Sequence, residues 1–273
     1  MGDKILGVMQ GRLLPPVDNR IQAFPADRWS LEFSIANELD LDCIEFIFDG
    51  LNISSHPLVT KRGQTCIEVF CEEYGISIPS VCADYFMDHW LHSVSPQKLY
   101  ENYCILHNLV ESCSQVGVSV IVLPFVDQSR IQNDVDIYEI ETHLRPILDV
   151  AKDNSISMAL EVDLPPDSCK SLLKRFNVDN LGINYDIGNS ASLGYNPIEE
   201  LTLYGEKILD IHIKDRTLHG FTVPLGEGAA QIEYVLQTMI SRGFRGPYIL
   251  QAARKEIGKE KETIAEGTLN NQQ

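Results

Sequence analysis

The stretch SMALEVDLPPDSCKSLLKRFNVDNLGINYD, residues 157–186, decides the fold. SMALEV (157–162) and LGINYD (181–186) are short, nearly continuous apolar runs, the pattern of strands buried on both faces. Between them lies PPDSCKSLLKRF, where Pro165 and Pro166 suit the start of a helix. Such a strand–helix–strand unit joins two parallel neighbours of one sheet.

The same unit recurs in both directions. Upstream, KILGVM (4–9) precedes a helical stretch at 26–40, and CIEFIF (43–48) precedes one at 63–75 that closes on Gly75. ISIPSVCA (76–83) leads into a long helix over 96–115, and VSVIVLPF (118–125) into one over 135–153. Downstream, NPIEELTLYG (196–205), ILDIHI (208–213), AAQIEYVLQTMISRG (229–243) and PYILQ (247–251) continue the alternation, followed by a final charged helix. The count is eight strands, each followed by a helix, at roughly 30 residues per unit, which predicts a (β/α)8 TIM barrel. The rival, an open doubly wound sheet, would carry a Gly-rich phosphate turn after its first strand; MQGRLLPP lacks it. One domain spans residues 1–273, with a flexible tail expected from about 267 to 273.

Composition narrows the class. A formal net charge of −17 disfavours general electrostatic binding to nucleic acid or anionic membrane. The seven cysteines are scattered, form no C-x-x-C pair and often sit in apolar runs, so free thiols in a reducing compartment are expected. MGDKILGVMQGRL has no long apolar segment and no run reaches membrane-spanning length, so the expected location is cytoplasmic.

In a parallel barrel, chemistry gathers where the strands end. The fifth strand ends on Glu161, the sixth on Asp186 with Asn189 one turn on, the seventh on His212 with Lys214, Asp215 and Arg216, and the eighth on Gln251. Each alone has an ordinary role as a cap or a satisfied core group. Together, two carboxylates, an imidazole and an amide oxygen make an O/N ligand set for one divalent ion: Mn, Mg, Co or Zn. Burying two bare carboxylates without a cation would be costly.

These residues carry a resemblance. GVMQGRL with IQAFP, CIEFIFD, VCADYF, ALEVD, YDIGN, HIKDR and PLGEG resemble the xylose isomerase-like TIM barrels of the sugar phosphate isomerase/epimerase superfamily, over nearly the whole chain. The resemblance implies a single divalent metal held by Glu161, Asp186, His212 and the residue after strand 8. That residue is a Glu in the family pattern and Gln251 here. Ketose epimerases of this kind use two Glu residues on opposite faces of an enediolate, and an amide cannot act as a base. Gln251 therefore favours one-base aldose–ketose isomerisation with Glu161 as the catalytic base. Glu45, Asp49, Asp84 or Glu227 would have to substitute as second acid for an epimerase. The alternatives are a keto-polyol dehydratase of the same superfamily or a non-catalytic carbohydrate-binding barrel. The apurinic-site endonuclease branch needs further histidines after strands 3 and 4, and only His89 lies near. The family also implies a homodimer or larger assembly.

Other polar groups at the mouth are candidates for a sugar or sugar phosphate. Arg12 could anchor an anion or close the mouth by a salt bridge. Lys214, Arg216 and the PLGEG loop with Glu227 lie where barrels often hold phosphate, and Asn189 could bind a hydroxyl. Asp215 is expected to orient His212 or pair with Arg216. His56, His92, His107, His143 and His219 read as surface or structural residues.

Overall fold

A computed structural model describes residues 5–51, 53–254 and 256–270. Eight parallel strands close into a barrel: β1 (Ile5–Met9), β2 (Cys43–Ile47), β3 (Ser80–Cys82), β4 (Val120–Phe125), β5 (Ser157–Val162), β6 (Leu181–Asp186), β7 (Ile208–Ile213) and β8 (Pro247–Leu250). Neighbours follow chain order, and closure comes from β1 against β8, where Gly7 lies opposite Ile249. The bounds of β5, β6 and β7 match the apolar runs of the sequence, whereas Lys4, expected to begin β1, lies outside the described residues.

Helices fill the outer layer and their limits follow from local chemistry. Thr60 Oγ1 accepts the Gly63 N–H at the start of Lys61–Tyr74, and Gly75 ends that helix at φ 67°, a conformation a Cβ would disfavour. Asn133 Oδ1 accepts from Val135 and Asp136 at the start of Asp134–Asp153. Pro166 opens Pro166–Phe176 where a missing N–H costs nothing.

Three departures from the sequence reading have physical causes. The first helix begins only at Leu31, because residues 26–30 are spent in successive turns (Arg28 N–H to Pro25 O, Leu31 N–H to Arg28 O). β3 is shorter than 76–83: Pro79 has no N–H for a ladder, although its carbonyl accepts from Ser119 and Val120. An additional helix, Ile187–Leu193, starts directly on β6 because Asp186 caps it. At the C-terminus the helix Glu260–Asn270 continues past 267, and residues 271–273 lie outside the described set.

Side chains alternate along each strand, so each contributes one set to the barrel interior and one to the helix layer. The interior set includes a small apolar cluster with Met9, Cys43, Ile47, Cys82, Val122, Ala159 and Ile249. A much larger cluster, including Phe33, Phe46, Leu106, Leu144 and Leu172, packs the barrel against the helices. The inner wall is tight at Gly7, where a Cβ would meet Cys43 Sγ at 2.2 Å and the Cys43 carbonyl oxygen at 2.6 Å. Gly7→Ala is therefore expected to destabilise the protein by about 1–3 kcal/mol through overpacking, read as a lower midpoint in urea unfolding.

Candidate metal and proton-transfer site

The alternation that packs the interior also stacks polar groups on its upper half. Glu161 lies opposite Pro124 of β4, Asp186 opposite His212, and His212 in turn opposite Ile249 of β8. One ligand atom from each of Glu161, Asp186 and His212 lies within 4.8 Å of the others, and all three residues are buried. Gln251 follows β8, its N–H donating to Ile213 O at 2.9 Å, with its side chain also buried.

A second layer of bonds holds this cluster. Asn189 Nδ2 donates to Glu161 Oε1 at 2.7 Å, and its backbone N–H donates to Asp186 Oδ1 at 2.8 Å. Lys214 Nζ donates to Asp186 Oδ2 and to Asn189 Oδ1, each at 3.2 Å, and Arg216 Nη1 reaches the same Asn189 oxygen at 2.9 Å. Asn189, Lys214 and Arg216, assigned from sequence to substrate, thus form a cationic brace around the carboxylates. Burial, and then the charge of Asp186, pushes the Glu161 carboxyl up to about 7.

On the opposite side, Gln251 Nε2 donates to Gln22 Oε1 at 2.8 Å, and Gln22 Nε2 donates to Asp84 Oδ2 at 2.8 Å. A carboxylate can only accept, so Asp84 fixes the polarity of this chain and leaves Gln251 Oε1 as the spare atom. That oxygen is buried without a partner among the described residues. Burial raises the Asp84 pKa.

Glu45 lies in mid-strand on β2 rather than at the mouth. Its Oε1 is 2.7 Å from His212 Nε2 and its Oε2 accepts Ser80 Oγ at 2.5 Å. Asp210 lies alongside, 3.9 Å from the same imidazole nitrogen. Asp215 has a different task from the one its neighbours in sequence suggested. It accepts three backbone N–H groups, from Gly226 and Gly228 at 2.9 Å and Ala230 at 3.0 Å, and so shapes the PLGEG loop. Glu227 is exposed on that loop. Asp49 is engaged by the Phe24 and Leu51 N–H groups at 3.0 Å.

Arg12 is buried beside Arg254, its Nη1 donating to Ala252 O at 2.9 Å and its Nε without a partner among the described residues. Burial and then Arg254 lower its pKa to about 10, which leaves it charged near neutrality. Arg254 spends its guanidinium on the carbonyls of Gly11, Leu14 and Ile21, pinning the loop after β1. Phe86 and Phe125 are buried packing residues, and His56 is buried with Nε2 3.0 Å from Ile47 O.

Sequence reasoning missed Gln22, Asn184, Ser80 and Asp210. Two carried a readable signal: Asn184 and Asp210 stand two residues before Asp186 and His212, so a two-residue strand period puts them on the same interior face. Gln22 sits in an irregular loop, where no period operates.

A (β/α)8 barrel with an acid–imidazole cluster at the C-terminal end of its strands defines the class of protein. The chain belongs to the xylose isomerase-like TIM barrel family, which it matches over residues 33–269. It is 26% identical over 239 residues to L-ribulose-5-phosphate 3-epimerase UlaE of Salmonella heidelberg, covering 84% of each chain. Among solved structures it is similar to a xylose isomerase domain protein from Planctomyces limnophilus (TM-score 0.76, 21% identity, 98% of this chain and 95% of that one). It is similar as well to the IOLI protein with a bound zinc atom (TM-score 0.76, 18% identity, 97% of each chain). No described helix is long and apolar enough to cross a membrane.

The site carries a pH dependence. The Glu161 carboxyl is raised in the fold, so the folded state holds a proton that the unfolded chain releases near pH 4.5. Its contribution is complete below about pH 4.5 and is lost as pH rises through about 7. Glu45, also pushed up to about 7 by burial, acts in the same direction. Thermal unfolding of chelator-treated protein is expected to shift to lower temperature between about pH 5 and about pH 7.5.

Proposed function

We propose that the chain is a sugar or sugar-phosphate isomerase or epimerase that moves a proton beside a carbonyl. One divalent cation (Mn, Mg, Co or Zn) is held by Glu161, Asp186, His212 and the Gln251 amide oxygen. The observation that carries the reading is the convergence of two buried carboxylates and a buried imidazole within 4.8 Å. The donor set fits a hard-to-borderline cation, and the unpartnered Gln251 Oε1 supplies the oxygen that an amide can offer. The zinc-bearing structural neighbour and the curated epimerase relative support the same direction. When bound, the cation would polarise the substrate carbonyl and offset the negative charge that develops beside it.

The chain's own residues do the rest. Asn189 holds Glu161 Oε1 at 2.7 Å, while Oε2 has only a 3.5 Å contact from Asn184 Nδ2. Oε2 is thus the oxygen left to take a proton from the carbon next to the carbonyl and return it to the neighbouring carbon on the same face. Lys214 and Arg216 keep Asn189 and Asp186 in place. Gln251 exchanges no proton, which favours this one-base isomerisation.

Epimerisation is the second reading, favoured by the named activity of the curated relative. It needs an acid on the other face. Glu45 is sealed beneath His212, Asp49 is bonded to two backbone N–H groups and Glu227 is exposed on its loop. Asp84, partly exposed at the end of β3, is the acid the arrangement leaves.

Protein purified without chelator is expected to carry one equivalent of divalent metal by elemental analysis. Absence of metal, with no thermal stabilisation on adding any of the four ions, would sink the reading. Glu161→Gln should abolish turnover while the chain still folds, read as an unchanged far-UV circular dichroism spectrum. In D2O, a panel of ketoses and ketose phosphates should incorporate deuterium at C1 without inversion at C3; clean inversion at C3 that Asp84→Asn abolishes would establish the second reading instead.

A further inference from the structure

We propose that Glu45 is a positioning residue for His212: it accepts the imidazole Nε2–H, fixes that tautomer, and so makes Nδ1 the atom offered to the metal. The proposal rests on the metal reading of Glu161, Asp186 and His212 and assigns a role that sequence alone gave to Asp215.

Both ends of the imidazole are described. At Nε2, Glu45 Oε1 stands at 2.7 Å, a distance suited to a charge-assisted N–H···O bond. At Nδ1, Asn184 Nδ2 stands at 3.1 Å, and the same amide nitrogen is 3.5 Å from Glu161 Oε2. An amide NH2 can only donate, so Nδ1 bears the lone pair and Nε2 the proton. Two independent partners, on β2 and on β6, therefore require the same tautomer. Nδ1 faces the amide that bridges to Glu161, on the side where the carboxylates converge.

Glu45 is itself held. Ser80 Oγ on β3 donates to its second oxygen, giving a Ser80–Glu45–His212 strut across the barrel interior, with all three residues buried. Asp210 lies beside this pair, its Oδ1 3.9 Å from the same imidazole nitrogen. A ligating imidazole anchored through its other nitrogen has a fixed ring plane and a more basic donor atom, and loss of such an anchor costs about 10–100-fold in metal affinity.

The test uses the full chain with 15N-labelled histidine and no metal. Long-range 1H–15N correlation should show His212, assigned by its disappearance in His212→Asn, with a protonated Nε2 and a bare Nδ1. Glu45→Gln, whose amide oxygen still accepts, should keep that tautomer, whereas Glu45→Ala and the volume-filling Glu45→Leu should give a mixture. Calorimetric titration with Mn2+ or Zn2+ should show the Kd rising about 10–100-fold in Glu45→Ala and Glu45→Leu, and less in Glu45→Gln. A protonated Nδ1 in the wild type, or an unchanged tautomer and Kd in Glu45→Ala, overturns the proposal. A wild type that binds no metal refutes the reading beneath it, while the tautomer measurement still decides the role of Glu45.

Discussion

Two carboxylates cannot be drawn into a barrel interior at contact distance unless positive charge or protons come with them. The upper half of this barrel is organised around that constraint. Glu161 and Asp186 are surrounded by Asn189, Lys214, Arg216 and His212, which meet their oxygens with N–H donors or bring charge near them. The one ion pair within this set, Lys214 to Asp186 at 3.2 Å, balances a single negative charge. The rest is met by a proton on Glu161, whose carboxyl burial pushes up to about 7, or by the cation proposed above.

Beneath the mouth the same constraint is met by a different device. Glu45, Asp210 and His212 are fully buried, and here burial itself, raising both acids, keeps the group from accumulating charge. The barrel thus holds a polar storey under its active level, with His212 as the member common to both. A purely apolar filling at Glu45 and Asp210 would pack as well but could not set the orientation of the imidazole above it.

The fold was legible because eight apolar runs stand at regular intervals, and strand ends such as Glu161, Asp186 and His212 could be picked out by counting. The ends of β5, β6 and β7 coincide with their sequence limits, which is why Glu161, Asp186 and His212 could be grouped from them. Legibility failed where chain adjacency and spatial adjacency part. Asp215 follows His212 by three residues, yet it leaves the barrel to gather the Gly226–Ala230 amides, because the chain turns into a short hairpin there (Asp215–Arg216 with Thr222–Val223). Glu45 is remote from His212 in sequence and meets it only through barrel closure. Gln22, in a loop, has no periodic signature that could have placed it against Gln251.

The Asp84–Gln22–Gln251 chain has a consequence for how such a site can change over generations. The three residues come from the ends of β3 and β8 and the loop after β1, and each link has a direction set by its neighbour. A carboxylate at position 251 would present an oxygen where Gln22 already presents one, while Asp84 prevents Gln22 from turning over. Gln251→Glu would therefore set two acceptor oxygens against each other. The side chain that positions 22, 84 and 251 can each accept depends on the other two, so the amide is held in place by its surroundings as much as by its own chemistry.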